Sequence, residues 1–181
     1  MIKKVQFLLL GLGLTLVSAT SSALEVGDMA PNFSLPGSDG KIYQLADYHG
    51  KQAVVLAWFP KAYTSGCTIE CLSLAENGDK IREFDVSYFM ASTDPLEENT
   101  GFALETGADF PLLSDEDKSV AKAYEVLSFM GFAKRHTIYI DKNGKIIKID
   151  KNINPDTSAE DMIENLDALG IKKHLKLNQV L

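Results

Sequence analysis

A run of seven apolar residues, 53–59 (AVVLAWF), constrains the fold more than any other part of this 181-residue chain. The run is rich in β-forming residues and lacks the alternation of a strand with one solvated face. It therefore predicts a central strand that is covered on both faces.

Apolar runs and helical patterns alternate along the rest of the chain. Asp141-Lys142-Asn143-Gly144 is typical of a tight hairpin turn between two strands. Strands that alternate with helices, followed by a hairpin and a last helix, indicate an α/β fold with a central mixed β-sheet flanked by helices. We predict strands at 42–45, 53–59, 86–92, 137–140 and 145–149, and helices at 68–84 (with a break at Asn77-Gly78), 96–106, 118–125 and 158–169.

The first 23 residues have the features of a bacterial secretory signal. Lys3 and Lys4 precede an apolar run at 5–17, and small residues follow at 18–23. The run is shorter than the roughly 20 residues of a membrane-spanning helix, although an uncleaved anchor is the alternative. We predict cleavage after Ala23, a single domain at 24–181, a periplasmic location and no stable membrane association after cleavage.

The charge balance excludes one class of partner. The net charge is −7, and loss of two lysines with the signal takes it to −9. An acidic surface repels phosphate backbones, so we expect no nucleic acid partner. Export also suits a chain with two cysteines, since disulfides form in oxidising compartments.

Both cysteines lie just after the central strand, in WFPKAYTSGCTIECLSL. Cys67 is placed where the strand gives way to a helix, and unpaired N–H groups and the helix dipole favour the nucleophilic thiolate there. Thr64 can place a hydroxyl near the sulfur, and Pro60 has no N–H and can shield the thiol from water. Each residue alone is common in ordinary structure, but their combination in this order indicates a reactive site.

These residues resemble the signature of a known family. Pro60, Thr64 and Cys67 match the P-x-x-x-T-x-x-C motif of peroxiredoxins, and T-S-G-C-T-x-E resembles the bacterioferritin-comigratory (PrxQ-like) branch. The likeness extends over about residues 26–169. It implies a thioredoxin-like fold and the reduction of hydrogen peroxide or organic hydroperoxides without metal or organic cofactor. It also implies that Cys67 becomes a sulfenic acid, which a second thiol resolves, and that a thioredoxin-like or other dithiol reductant restores the enzyme.

The resemblance also suggests a role for Arg135 and leaves the role of Cys71 open. Arg135 matches the active-site arginine of the family, whose permanent charge stabilises a thiolate and a departing oxygen. The second cysteine of this branch usually follows five residues after the first, whereas Cys71 follows four after, and Ser65 replaces the usual proline. Residues four apart on a helix have Cβ atoms about 5–6 Å apart, so a disulfide needs local unwinding. Cys71 is therefore either the resolving thiol or a core residue.

Other functions compete for the same segment. Copper-delivery proteins of the Sco type carry C-x-x-x-C at this junction, and Cys67, Cys71 and His136 could form a soft metal site. Against this, Arg135 stands nine residues before Gly144, as in the peroxiredoxin pattern, and His136 is too close to that glycine. A disulfide oxidoreductase typically uses C-x-x-C. A purely structural disulfide would close only a small loop and stabilise little.

Overall fold

Every residue of strand β3 (Ala53–Trp58) is buried in the computed structural model, which describes residues 23–174. The predicted signal, residues 1–23, lies outside this range except for its last residue. The other strands are β1 (Ser34–Pro36), β2 (Ile42–Gln44), β4 (Val86–Ser92), β5 (Leu112–Ser114), β6 (His136–Ile140) and β7 (Ile146–Asp150). The helices are α1 (Ser65–Glu76), α2 (Gly78–Ile81), α3 (Leu96–Thr106), α4 (Ser119–Ala123) and α5 (Ser158–Ala168), with 3₁₀ turns at Leu45–Tyr48 and Pro155–Thr157.

The main sheet has the strand order β5-β4-β3-β6-β7. Strand β3 runs parallel to β4 and antiparallel to β6, and β4 is parallel to β5 while β7 is antiparallel to β6. Strands β1 and β2 form a separate antiparallel pair. The predicted mixed sheet with flanking helices is confirmed.

Alternate residues of β3 belong to two separate cores. Val55 and Ala57 pack in a core with residues of α1, α3 and α5, whereas Val54, Leu56 and Trp58 pack in a core with β1 and α4. The unbroken apolar run is explained by this arrangement, because neither face of β3 meets water.

The helix after β3 begins earlier than predicted. It starts at Ser65 rather than residue 68, since Thr64 has an extended backbone (φ −85°, ψ 146°) and its carbonyl accepts from the Thr68 N–H at 2.9 Å. The predicted break is confirmed at Asn77, which separates α1 from α2. Strand β5 was not predicted, because three residues are too few to show a periodic pattern.

The predicted hairpin turn between β6 and β7 is also confirmed. The carboxylate of Asp141 accepts hydrogen bonds from the N–H groups of Asn143 at 2.8 Å and Lys145 at 2.9 Å. Gly144 takes the left-handed conformation (φ 82°), which favours glycine. Within residues 23–174, no helix has the length and apolar character needed to cross a membrane.

Candidate active site

Cys67 is the third residue of α1 and has no exposed surface. Its N–H belongs to the first turn, where backbone N–H groups have no acceptor within the helix. The sulfur therefore lies at the positive end of the helix, at the junction where the sequence places it. Cys67 and Cys71 are both free thiols in this structure.

Arg135 brings a positive charge to this sulfur from another part of the chain. It immediately precedes β6, and its Nη2 donates to Cys67 Sγ at 3.2 Å. Gly66 leaves room for this approach, because a Cβ on that residue would lie 3.3 Å from the same Nη2. The structure thus brings together two residues that the sequence singles out, although they are 68 positions apart.

Glu70, the last residue of the T-S-G-C-T-x-E motif, is a member of the site to which the sequence alone gave no role. It is completely buried, and its Oε2 accepts a hydrogen bond from Nη1 of Arg135. Its Oε1 has no hydrogen-bond partner within residues 23–174. Glu70 follows Cys67 by three positions, so the two side chains share a face of α1. That spacing, in a segment otherwise poor in charge, is the signal that could have identified it.

The pair holds the guanidinium in place. Arg135 uses one nitrogen for the Glu70 carboxylate and another for the Cys67 sulfur. A guanidinium presents several donors in a fixed plane, so the bond to Glu70 orients the bond to sulfur. A buried carboxylate without this cation would be costly, and the two residues therefore depend on each other.

Cys71 lies one turn further along α1, in the core. It has no exposed surface, and its Sγ lies 3.2 Å from the hydroxyl oxygen of Thr106 on α3. Burial is the main cause that raises the pKa of the Cys71 thiol from 9.0 to about 11, and the charge of Cys67 adds to it. At neutral pH Cys71 is thus a protonated core thiol.

Pro60 and Thr64 occupy the loop between β3 and α1. Pro60 is half-buried, and Thr64 is exposed and precedes the first residue of α1. The Thr64 hydroxyl donates its proton to the carbonyl of Lys61 at 2.9 Å. The hydroxyl therefore has only its lone pairs to offer a substrate, as an acceptor.

The same loop is anchored to the end of β4. The N–H of Ala62 donates to the buried carboxylate of Asp94 at 2.9 Å, and Ser92 Oγ donates to that carboxylate at 3.0 Å. Tyr63 has a positive φ of 61°, unusual for a residue other than glycine, and its ring packs against Phe102 with centroids 5.3 Å apart. These contacts fix the loop that carries Thr64.

The residues of the copper alternative do not form a metal site. His136 is the first residue of β6 and pairs with Trp58 in the sheet. In the described part of the chain, no group of three or more His, Cys, Asp or Glu side chains is arranged to hold a metal ion. The two cysteines and His136 therefore do not form a joint ligand set.

Comparison with known proteins identifies the family. A model of the AhpC/TSA family matches residues 26–149. The chain belongs to this family. It is 40% identical to peroxiredoxin Bcp of Escherichia coli (strain K12) over 130 residues, which cover 68% of this chain and 83% of that protein. It is 33% identical to peroxiredoxin Bcp of Bacillus subtilis (strain 168) over 133 residues, which cover 69% and 83%.

Solved structures agree with this assignment. The crystal structure of the peroxidoxin BcpB from Mycobacterium tuberculosis matches with a TM-score of 0.73 and 30% identity, and covers 80% of this chain and 97% of that one. A PrxQ variant from Xylella fastidiosa matches with a TM-score of 0.75 and 25% identity, and covers 82% and 98%. The resemblance to bacterioferritin-comigratory (PrxQ-like) peroxiredoxins and the thioredoxin-like fold are confirmed. The protein is a thiol-dependent peroxidase.

Proposed function

We propose that Cys67 is the thiol of this peroxiredoxin that reacts with peroxide, with Arg135 as its electrostatic partner. The observation that carries the proposal is the 3.2 Å contact between Arg135 Nη2 and Cys67 Sγ in the first turn of α1. The guanidinium and the helix dipole both favour negative charge at this sulfur. A thiolate is the form of cysteine that attacks an O–O bond.

The first step is a displacement at oxygen. The Cys67 thiolate forms an S–O bond with one peroxide oxygen, the O–O bond breaks, and the other oxygen leaves as an alkoxide or hydroxide that takes up a proton. Charge moves from sulfur to the leaving oxygen, and Arg135 can stabilise both ends of that path. The Thr64 hydroxyl accepts a hydrogen bond from the peroxide, and Pro60 limits access of water from the loop side.

In the second step, Cys71 resolves the sulfenic acid. The Cys71 sulfur attacks the Cys67 sulfur, a disulfide forms, and the hydroxyl group of the sulfenic acid leaves as water. A helix separates the two Cβ atoms by about 5–6 Å, and a disulfide needs about 3.5–4.5 Å, so the start of α1 must open. Cys71 is fully buried, so its sulfur must also leave the core to reach the sulfenic acid. The same opening of α1 allows this movement.

A dithiol reductant of the thioredoxin type completes the cycle. It reduces the Cys67–Cys71 disulfide by thiol–disulfide exchange and is itself oxidised to a disulfide. We place the cycle in the periplasm, with residues 1–23 as a cleaved export signal and 24–181 as the mature single domain. Support comes from the sequence, in which two lysines, a short apolar run and small residues occur in that order. Mass spectrometry of the exported protein checks this: a mature chain starting at Leu24 supports it, and a retained Met1 contradicts it.

The identity of the reactive thiol is tested by trapping the sulfenic acid. Reduced Cys71→Ser protein, treated with one equivalent of peroxide and a sulfenic-acid probe, should carry the label on Cys67. With excess peroxide the same residue should proceed to sulfinic acid, since no second thiol intercepts it. The matched control is Cys67→Ser, which should remain unlabelled. Labelling of Cys71 in that control, with none on Cys67 in the first variant, would reverse the assignment.

A further inference from the structure

The hydroxyl of Thr106 is the polar partner of the Cys71 thiol. Thr106 is the last residue of α3 and is only 6% exposed, and its Oγ1 lies 3.2 Å from Cys71 Sγ. The contact joins α3 to α1 across 35 positions of sequence. It lies within the core that also contains Leu74 and Phe102.

The direction of this hydrogen bond follows from the second contact of the same hydroxyl. Thr106 Oγ1 lies 2.7 Å from the carbonyl oxygen of Phe102, one turn earlier on α3. A carbonyl only accepts, so the single hydroxyl proton of Thr106 is used there. The Cys71 S–H therefore donates to a lone pair of Thr106. The bond to the Phe102 carbonyl holds the Thr106 hydroxyl in one orientation, with a lone pair directed at Cys71.

The end of α3 is itself fixed. Gly107 ends the helix in the left-handed conformation (φ 64°), and the N–H of Ala108 donates to the carbonyl of Ala103 at 3.0 Å. Phe102 is fully buried and its ring packs against Phe59 with centroids 5.9 Å apart. When Cys71 leaves the core, α1 must move and Thr106 stays.

We propose that Thr106 is a positioning residue for disulfide formation: its hydroxyl holds the Cys71 thiol in the core and so slows closure of the Cys67–Cys71 bond. The proposal rests on the resolving role of Cys71 proposed above. In the closing step Cys67–SOH and Cys71–SH give the disulfide and water, and the S–H···O bond to Thr106 breaks first. A slower closure lengthens the life of the sulfenic acid and exposes Cys67 to a second peroxide.

Thr106→Val tests this, since valine has nearly the same shape and no acceptor. Thr106→Ser is the matched control, because serine keeps the hydroxyl. After rapid mixing with one equivalent of peroxide, acid quenching and alkylation, intact mass separates sulfenic acid from disulfide. Loss of one hydrogen bond of ordinary net strength should speed disulfide closure by roughly two- to tenfold in Thr106→Val. Thr106→Ser should close at the wild-type rate, and sulfenic acid formation should be equal in all three proteins.

A second measurement does not depend on turnover. In a Cys67→Ser background, which cannot form the disulfide, Thr106→Val should raise the rate of Cys71 alkylation by a similar factor. Circular dichroism and thermal unfolding check that each variant is folded. If the disulfide closes at equal rates in wild type and Thr106→Val, or more slowly in the variant, the positioning role of Thr106 is contradicted. The resolving role of Cys71 is then unaffected. A wild-type protein that never forms the intramolecular disulfide contradicts the proposed resolving role of Cys71, and this inference with it.

Discussion

Because Arg135 is paired with Glu70, a substitution of Arg135 is expected to change the stability of the protein as well as its activity. If Arg135 acted only on the reacting sulfur and oxygen, Arg135→Met would lose activity and fold normally. The structure shows that Arg135 is the partner of a completely buried carboxylate. Removal of one member of a buried ion pair costs about 3–5 kcal/mol, since the other charge remains without compensation. Stability and catalysis are therefore coupled at this residue.

A double variant separates the contribution of Arg135 to stability from its contribution to catalysis. Arg135→Met should lower the free energy of unfolding by about 3–5 kcal/mol. Glu70→Gln/Arg135→Met, which removes the buried charge as well, should recover most of that loss in urea unfolding. Both variants should reduce peroxide about 10²- to 10³-fold more slowly, as expected when a donor to developing negative charge is lost. A single variant as stable as wild type contradicts the structural coupling, and a double variant with near wild-type activity contradicts the role of Arg135.

The raised pKa of Cys71 predicts a pH dependence of stability. The folded-state pKa of about 11 exceeds the ordinary value of 9.0. The stabilisation from the protonated buried thiol is therefore complete below pH 9, where the unfolded chain is also protonated, and is lost as pH rises through 11. At about 1.36 kcal/mol per unit, reduced wild type should lose roughly 2 kcal/mol more than Cys71→Ser between pH 9 and 11. Urea unfolding across this range, with reductant present, measures the difference, and equal losses in the two proteins contradict it.

At the scale of elements, α1 has two halves with different attachments. Its first turn carries Cys67 and must open for the disulfide to form, whereas its second half is tied to α5. The N–H of Ala159 donates to Ser73 Oγ at 3.2 Å in the buried interface. Opening of one turn costs far less than global unfolding, so the second half can stay in place while the first half reorganises.

Amide hydrogen exchange tests this division. In the oxidised protein, exchange should rise over residues 65–71 relative to the reduced protein, while residues 73–76 keep their protection. Ser73→Ala is the matched variant, because it removes the acceptor of the Ala159 N–H. In oxidised Ser73→Ala, faster exchange should extend towards Glu76. Uniform protection along α1 in both redox states would contradict an opening that is confined to its start.

At the scale of the whole molecule, the sequence predicted the architecture better than the site. A seven-residue apolar run and the Asp141–Gly144 turn are local signals, and both led to the right elements. Burial of Glu70 and the contact of Cys71 with Thr106 depend on how α1 packs against distant segments, which no local pattern encodes. The contact of Arg135 with Cys67 spans 68 positions, so no local pattern predicts it. Only the resemblance to the family pointed to Arg135.

Consumption of hydrogen peroxide by the purified protein, with dithiothreitol as reductant, tests the central claim most directly. Wild type should consume peroxide in many turnovers, and Cys67→Ser should show no consumption above the dithiothreitol background. Thr68→Ser, a conservative change on the next residue of α1, serves as the control and should stay close to wild type. Sustained peroxide consumption by Cys67→Ser would contradict the assignment of Cys67 as the reactive thiol.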